Sequence, residues 1–408
     1  MLFKTLVISV IISFCTTFYF AQSYKSLKKG NWSAHLVLNE TTNLPFKLNI
    51  SGSKKKPIFT ILNAEEKIQL TSFKEINDSL QIDFPNFHSY IRFVVKNKTE
   101  IAGTWTNLNK GNNYKIPFFA KHNLPNTVCV QQHNLDLTGR WKTTFSPNTD
   151  DAEMAIGVFK SADYSHELTG TFLTETGDYR FLVGQACSDK MFLSCFDGSH
   201  AFFFEANYKD GNLNGTFYSG KHYSTPFTAT KDEKFELRNP DSLTYVVKKE
   251  PFAFKLKDLD GKEFVFPNEQ FKNKVTVIQI MGTWCPNCLD ESKFLKEMYQ
   301  KYHQDGFEVI SVGYETPTNF DEQVQKIKLL KSRLNLDFTF LVGGQANKAL
   351  ASEQFSMLNQ IISFPTAIFL DKNGQIVKIH TGFNGPGTGK IYDEFKLETE
   401  ELIKNLVK

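Results

Sequence analysis

Two cysteines separated by two residues are the most reactive groups that the sequence offers. They lie in the segment Trp284-Cys-Pro-Asn-Cys288, between an apolar run at residues 275–280 and an amphipathic stretch that begins at Leu289. A buried strand followed by a helix would place the first cysteine at the helix N-terminus, where free backbone N–H groups and the helix dipole favour a thiolate. The thiolate is the form of cysteine that attacks disulfides, so this arrangement predicts thiol–disulfide exchange.

The spacing predicts different roles for the two cysteines. Cys285 would be the nucleophile that forms a mixed disulfide, and Cys288, one helical turn further on, would be buried and would attack the Cys285 sulfur. Pro286 suits the first helical turn because an N–H group at that position would have no hydrogen-bond partner within the helix, so its absence in proline costs nothing. Trp284 flanks the pair and is expected at the catalytic site. A zinc site would need two more ligands at suitable spacing, which the sequence does not offer, so no metal is expected.

A second element, Phe364-Pro365-Thr366, precedes another strand-like run. Together with the cysteine pair, it strongly resembles the proline loop of the thioredoxin family, in which a cis proline faces the cysteines. The resemblance implies that Pro365 is cis and keeps metals away from the pair. It also implies that Phe364 and Thr366 border the substrate, with the Phe364 backbone pairing with an extended chain. No small-molecule cofactor is implied.

Residues 251–408 resemble more narrowly the exported TlpA/ResA-like thioredoxins, because the interval between the redox helix and the proline loop is long. The whole arrangement resembles multidomain proteins of this kind exported by Bacteroidetes. The resemblance implies an oxidoreductase that exchanges disulfides with protein substrates, in the reductive direction, with electrons from a membrane partner protein. It does not cover the chain before residue 251.

One position departs from the thioredoxin pattern. Thioredoxins carry a buried Asp six residues before the first cysteine, and Gln279, which cannot act as a base, stands there in this chain. TlpA-like relatives often carry a Glu after the following strand, and Glu315 matches that place. The resemblance therefore predicts that Glu315 handles protons during exchange. The alternative is that Glu315 is a surface carboxylate in a loop.

An internal repeat with a period of roughly 110 residues precedes the redox region. The matching segments are Trp32 and Trp141, Phe84–His88 and Phe196–His200, Gly103–Trp105 and Gly215–Phe217, and Tyr114–Phe118 and Tyr223–Phe227. Four matches in the same order predict two related units, residues 24–128 and 129–235, followed by a linker at 236–250. The repeated histidines, His88 and His200, are expected to be turn or packing residues rather than metal ligands.

Both units are rich in short aromatic and β-branched runs separated by turn residues such as Asp210-Gly211 and Asn214-Gly215. This pattern predicts antiparallel barrels or sandwiches, whose interiors either hold a ligand or are filled by side chains. From residue 252 onward, strand-like runs alternate with helical ones and end in a hairpin and a helix, which predicts a mixed α/β sheet. The predicted fold is therefore two tandem all-β units followed by an α/β thioredoxin-like domain.

The N-terminus has the plan of a secretory signal peptide at residues 1–22: Lys4, an apolar run from Leu6 to Phe14, and small or polar residues from Ala21. We expect export to the periplasm or cell envelope, and an uncleaved signal would attach the protein to the membrane. The formal net charge of +3 gives no electrostatic reason to propose nucleic acid as a partner.

Export makes disulfides plausible outside the redox pair. Cys187 and Cys195 flank a turn. The sequence leaves three alternatives open for them: a structural disulfide, a second redox pair, or no bond between them. A hairpin centred on that turn would not place them directly opposite each other, so the structural disulfide and the absence of a bond both stay open. Cys129 is expected to be a lone thiol near the boundary between the two units. After removal of Cys15 with the signal the number of cysteines is odd, so at least one thiol is expected to stay free.

Two other functions compete with disulfide exchange. A peroxidase of the peroxiredoxin type would share the fold, but its Pro-x-x-x-Thr-x-x-Cys pattern is absent around Cys285. The β units could also form a ligand-binding or envelope-binding module to which the redox domain is an accessory.

Overall fold

The computed structural model describes residues 23–124, 129, 134–163, 165–248 and 250–408. The signal peptide predicted at residues 1–22 lies outside the described residues. Within the described ranges, no helix is long and apolar enough to cross a membrane. Three sheets follow one another along the chain.

The first sheet is an open, antiparallel half-barrel. Its strands are β1 Gly30–Val37, β2 Asn43–Gly52, β3 Pro57–Asn63, β4 Glu66–Leu70, β5 Phe73–Ile76, β6 Ser79–Asp83, β7 Ser89–Asn97, β8 Glu100–Asn107 and β9 Lys115–His122. Along β7 every second side chain is buried, including Ile91, Phe93 and Val95, as expected for a strand with one face on a core. Because β4 and β5 form the two edges of the sheet, the curved sheet stays open between them.

The second sheet closes into a barrel. Its strands are β10 Gly139–Phe145, β11 Glu153–Ser161, β12 Glu167–Thr174, β13 Gly177–Asp178, β14 Leu182–Cys187, β15 Lys190–Phe196, β16 Ala201–Lys209, β17 Asn212–Ser219 and β18 Tyr223–Lys231. Strand β11 pairs with both β10 and β12, which closes the ring, and β13 is a two-residue extension paired to β12. Phenylalanine rings fill the interior: the Phe204 centroid lies 4.6 Å from Phe172 and 4.5 Å from Phe217. The sequence predicted an interior that either holds a ligand or is filled by side chains, and the interior of this barrel is filled by side chains.

The two β sheets share a local hydrogen bond as well as a strand order. The indole Nε1 of Trp32 donates to Lys28 O at 3.0 Å, and that of Trp141 donates to Leu137 O at 2.9 Å, four residues upstream in both cases. In each sheet the first strand pairs with the second and with the last. The sheets differ in closure, because β12 pairs with β14 in the barrel whereas β4 and β5 stay apart in the half-barrel.

The third sheet confirms the predicted α/β thioredoxin-like fold. Its strands are β19 Phe254–Asp258, β20 Glu263–Phe266, β21 Val275–Met281, β22 Phe307–Glu315, β23 Thr339–Gln345, β24 Thr366–Leu370 and β25 Ile376–Thr381. The helices are α1 Pro286–Tyr302, α2 Phe320–Leu334, α3 Lys348–Gln354 and α4 Lys390–Val407. Central strands β21, β22 and β23 are parallel, and the others pair antiparallel. All residues of β21 and β22 are buried, as expected for parallel strands covered on both faces.

A phenylalanine of the barrel fills the opening of the half-barrel. Phe196, at the end of β15, packs its ring 4.8 Å from Phe46, 5.5 Å from Phe84 and 5.1 Å from Trp105, all measured between centroids. The Asn63 side chain accepts from Phe196 N at 3.3 Å and donates to Phe196 O at 3.0 Å. The first two units are therefore joined through a shared core.

The segment predicted as a linker, residues 236–250, packs along the α/β domain where it is described. Asp241 pairs with His380 at 2.7 Å and with Lys378 at 3.2 Å. Further along, Val246 forms a β-bridge with Leu358. These contacts attach the segment to the face of the α/β domain that carries β25.

The structural disulfide considered between Cys187 and Cys195 does not form, and the prediction that Cys129 is a lone thiol is wrong. Cys187 bonds to Cys129, with their Cα atoms 6.0 Å apart, and Cys195 is a free, buried thiol. In the β14–β15 hairpin Cys187 pairs with Lys190, whereas Cys195 lies at the other end of β15. With a rise of about 3.3 Å per residue, this separation exceeds the Cα distance of about 7 Å that a disulfide can span.

Candidate active site

The cysteine pair lies where β21 leads into α1. Cys285 caps the 17-residue helix: its Sγ accepts from Cys288 N at 3.2 Å, and Pro286 occupies the first helical turn. The two cysteines form a disulfide, with Cα atoms 5.3 Å apart. Cys285 is 7% exposed and Cys288 is 0% exposed. An incoming thiol or disulfide therefore reaches Cys285 first, and the helix N-terminus favours a thiolate there when the pair is reduced.

The proline loop faces the cysteine pair, as the sequence predicts. The Phe364–Pro365 peptide bond is cis, and Phe364 O lies 3.5 Å from Cys285 Sγ. Thr366 begins β24 and is fully buried, with its hydroxyl donating to Ser363 O at 2.9 Å. Of the two predicted substrate-binding residues, Phe364 thus lies next to the nucleophile, whereas the Thr366 side chain shapes the loop from inside the protein.

Trp284 is fixed by contacts from two directions. Its indole Nε1 donates to Tyr314 O at 2.9 Å, and its ring meets Phe364 edge-on at 6.1 Å between centroids. Its carbonyl oxygen accepts from Ser199 Oγ of the barrel at 3.0 Å. The residue that precedes Cys285 is therefore held by the barrel as well as by the α/β domain.

Glu315 lies at the end of β22 and is completely buried, so the surface-carboxylate alternative is wrong. Its Oε1 accepts from Thr283 N at 2.9 Å and its Oε2 accepts from Thr283 Oγ1 at 2.6 Å. Burial raises the pKa of Glu315 to about 7, although the hydrogen bonds from Thr283 act in the opposite direction. The geometry places Glu315 under the segment that enters the cysteine motif, and its role in proton transfer stays a prediction.

Gln279, in the position of the missing aspartate, organises a buried polar cluster behind the cysteines. Its Oε1 accepts from Ser292 Oγ at 3.0 Å and from Ser311 Oγ at 2.7 Å. Its Nε2 donates to Cys288 O at 3.2 Å and to Glu291 Oε2 at 2.9 Å. With both ends of the amide engaged, Gln279 contacts both the Cys288 carbonyl and a second buried carboxyl group.

Glu291 is a candidate site residue that the sequence reasoning missed. It is 1% exposed, and its Oε1 has no hydrogen-bond partner among the described residues. Burial raises the pKa of Glu291 to about 8, against the opposing effect of the hydrogen bond from Gln279. Its position, three residues after Cys288 on a helix, puts it one turn behind the cysteine pair. This spacing from Cys288 is the feature of the sequence that could have pointed to Glu291 as a site residue. It does not show, however, that the carboxyl group points into the protein.

Comparisons with known proteins agree with the geometry of this site. Residues 247–395 match the family described as Redoxin. Thiol-disulfide oxidoreductase ResA of Bacillus thuringiensis subsp. konkukian is 26% identical over 179 residues, which are 43% of this chain and 82% of that protein. ResA of Bacillus cereus is 26% identical over 198 residues, 48% of this chain and 89% of that protein. The C-terminal region belongs to the TlpA/ResA-like thioredoxin family.

Among solved structures, a thioredoxin-like protein from Porphyromonas gingivalis has 25% sequence identity and a TM-score of 0.28, over 38% of this chain and 91% of that one. StoA from Bacillus subtilis has 21% identity and a TM-score of 0.27, over 37% and 99%. Both similarities cover little more than a third of this chain. The match to the Redoxin family and to the ResA proteins identifies the TlpA/ResA-like domain as a thiol–disulfide oxidoreductase module, and it is joined to two further β units.

The TlpA/ResA-like domain and both β units meet in a buried charge cluster around Arg180. The Arg180 guanidinium donates to Asp290 of the redox helix, pairs with Glu66 of β4 at 3.0 Å, and lies 3.7 Å from Asp197 of the barrel. Burial alone would raise the pKa of Asp290, but Arg180 and Lys293 hold it below its usual range. Because an unpaired buried charge is costly, this cluster fixes the three units in one arrangement beside the cysteines.

The two repeated histidines have separate surroundings. His88 is exposed on the half-barrel, next to helix α2, and His200 Nδ1 lies 3.3 Å from Asp197 Oδ2 while its ring stacks on Phe202. In the described part of the chain, no group of three or more His, Cys, Asp or Glu side chains is arranged to hold a metal ion.

Proposed function

We propose that this chain is an exported thiol–disulfide oxidoreductase that reduces disulfides in protein substrates. The observation that carries the proposal is the asymmetry of the cysteine pair. Cys285 caps a helix and is partly accessible, whereas Cys288 is fully buried behind it. The cis proline loop beside Cys285 provides a backbone edge next to the nucleophile. Together these features suit an enzyme that forms a mixed disulfide and then resolves it.

The exchange proceeds in two balanced steps. The Cys285 thiolate attacks one sulfur of the substrate disulfide; the substrate S–S bond breaks, a Cys285–substrate disulfide forms, and the departing substrate thiolate takes up a proton. The Cys288 thiolate then attacks Cys285 Sγ, which closes the Cys285–Cys288 disulfide and releases the second substrate thiolate. Two electrons pass to the substrate, so an external dithiol must reduce the enzyme before the next cycle.

Resolution requires the buried Cys288 thiol to lose its proton. We assign this proton to Glu291, because its buried carboxyl group lies one helical turn from Cys288, is held by the same Gln279 amide that donates to the Cys288 carbonyl, and has a pKa near that of a thiol. Its Oε1 has no hydrogen-bond partner among the described residues, so the ionised form of the carboxyl group can take up the proton there. Glu315, whose two oxygens both accept from Thr283, remains the second candidate.

Two observations support export. The N-terminal sequence has the plan of a signal peptide, and the Cys129–Cys187 disulfide lies far from the redox pair in sequence, as a structural disulfide of an oxidising compartment would. In the periplasm or cell envelope the enzyme would need a continuous supply of electrons to act as a reductant. A dithiol protein in the membrane is the partner that we propose for this supply.

The proposal is tested by single cysteine variants of the full-length protein. Cys285→Ser should abolish the dithiol-dependent reduction of a disulfide-linked peptide, whereas Cys288→Ser should accumulate a mixed disulfide that mass spectrometry detects. Unchanged reduction by Cys285→Ser would contradict the mechanism. The direction is tested separately, by equilibrating the pair with glutathione: a reductant should have a potential below about −200 mV, and a strong oxidant one near −120 mV.

A further inference from the structure

The nucleophile opens into a cleft whose walls come from two different units. One wall belongs to the TlpA/ResA-like domain and contains Trp284, Cys285 and Phe364. The opposite wall is the mouth of the closed barrel, where Phe217 and Tyr223 line the cavity. The cleft has a volume of about 580 Å³, within the range of about 300–1,000 Å³ typical of small-molecule pockets. The redox site therefore lies in an open cleft between the barrel and the TlpA/ResA-like domain.

The barrel wall is attached to each segment that frames the nucleophile. Asn287 Nδ2, from between the two cysteines, donates to Asp178 O of the barrel at 3.3 Å. Ser363 Oγ, next to the proline loop, donates to Thr176 O at 3.3 Å. Gly177, between these two barrel residues, is so close that a Cβ there would lie 2.5 Å from Asn287 Nδ2. The Ser199–Trp284 hydrogen bond adds a third attachment, so the wall stays in place when a substrate arrives.

The wall that faces the cysteine carries several aromatic side chains among polar ones. Tyr223 is 49% exposed, although its ring lies only 6.3 Å from that of buried Phe217. Next to them, the His200 ring stacks on Phe202 at 4.2 Å between centroids. A large aromatic side chain that is half exposed inside a cleft offers apolar surface to whatever enters it.

We propose that the barrel mouth selects the substrate of the redox site, and that it accepts an extended polypeptide with an apolar side chain beside the half-cystine. The inference rests on the proposed disulfide exchange and adds the substrate class to it. Between these two walls Cys285 is only 7% exposed, whereas a folded protein would need a contact surface of about 800 Å² on each partner. A single extended chain fits between the proline loop and the aromatic wall, with its sulfur at Cys285 and its neighbouring side chain against Tyr223.

Two peptide disulfides of equal length provide the test, one with Phe and one with Gly beside the half-cystine, reduced by full-length enzyme with a dithiol as electron source. We expect kcat/KM for the Phe peptide to exceed that for the Gly peptide about tenfold, the scale on which apolar pockets discriminate. Tyr223→Ala should lower this ratio to near one. Tyr245→Ala, a matched control because Tyr245 is 54% exposed and lies outside the cleft, should leave the ratio unchanged.

A native protein with an accessible surface disulfide is the third probe, and it should react much more slowly than the same protein after unfolding. Equal rates before and after unfolding would overturn the proposal, as would a Phe-to-Gly ratio that Tyr223→Ala does not change. These two outcomes can be distinguished from an outcome that contradicts the proposed disulfide reduction. If the wild-type enzyme reduces none of the probes, disulfide reduction itself is wrong; if it reduces all of them equally, only the role of the barrel mouth is wrong.

Discussion

Replacing Glu291 by glutamine removes a buried carboxyl group whose ionisation opposes folding. In the folded protein the pKa of Glu291 is raised from 4.5 to about 8 by burial. Between these two values the native state keeps a proton that the unfolded chain has released. The free energy of unfolding of the wild type must therefore fall as the pH rises through this window, and the loss is complete above the folded-state pKa.

The magnitude follows from the size of the shift. Each unit of pKa difference is worth about 1.4 kcal/mol, so from about pH 5 to about pH 8 the wild type should lose about 4 kcal/mol through Glu291 alone. Glu291→Gln does not titrate. The difference in unfolding free energy, variant minus wild type, should therefore increase by about 4 kcal/mol over this range, whatever constant offset the new amide introduces.

Urea unfolding of the oxidised full-length proteins at several pH values measures this difference, with circular dichroism as the signal. Glu353→Gln is the matched control, because Glu353 is an exposed glutamate on a helix of the same domain. Its difference from wild type should not change with pH. If the curve for Glu291→Gln is as flat as that of the control, then the pKa of Glu291 is not raised in the folded protein, and the match to the thiol pKa on which its assignment as proton acceptor of Cys288 rests is lost.

Two further predictions concern how the units hold together. Cys129→Ser breaks a disulfide that spans 58 residues, so the unfolding free energy should fall by about 4 kcal/mol on loop-entropy grounds, while peptide reduction at Cys285 continues; a loss of activity in the still-folded variant would show that this disulfide takes part in catalysis. Phe196→Ala empties the opening of the half-barrel and should cost about 3–5 kcal/mol, measured by urea unfolding. A much smaller cost would mean that the half-barrel closes by itself without the barrel residue.

Several features of the active site were predictable because they depend on neighbours in sequence. A Cys-x-x-Cys segment between an apolar strand and an amphipathic helix fixes the helix cap, and this local order placed Cys285 as the accessible cysteine and Cys288 as the buried one. The proline loop was recognisable from Phe364 to Thr366 through its resemblance to thioredoxins. The α/β fold was predictable for the same reason, since strands and helices alternate with clear periodicity after residue 252.

The carboxyl groups were harder to assign. Glu315 and Glu291 both look like ordinary helix or loop glutamates in the sequence, and only their burial raises the pKa of each. Whether a glutamate points inward depends on how α1 and β22 pack, and a single sequence does not specify this packing at the level of one side chain. The same limit explains why the sequence left the pairing of Cys187 and Cys195 open: the register of the β14–β15 hairpin, rather than nearness in sequence, separates Cys187 from Cys195.

The amino-acid sequence by itself determined the candidate reactive pair, Cys285 and Cys288, together with the loop that faces it, because those features are encoded over a few consecutive residues. The tertiary structure alone decided what surrounds the pair. Barrel residues between Glu153 and Tyr223, far upstream in the chain, line the cleft at Cys285, and Arg180 joins the redox helix to both β units. These contacts form because the barrel closes and the half-barrel stays open. They join residues that are far apart in the chain, so no local sequence pattern predicts them.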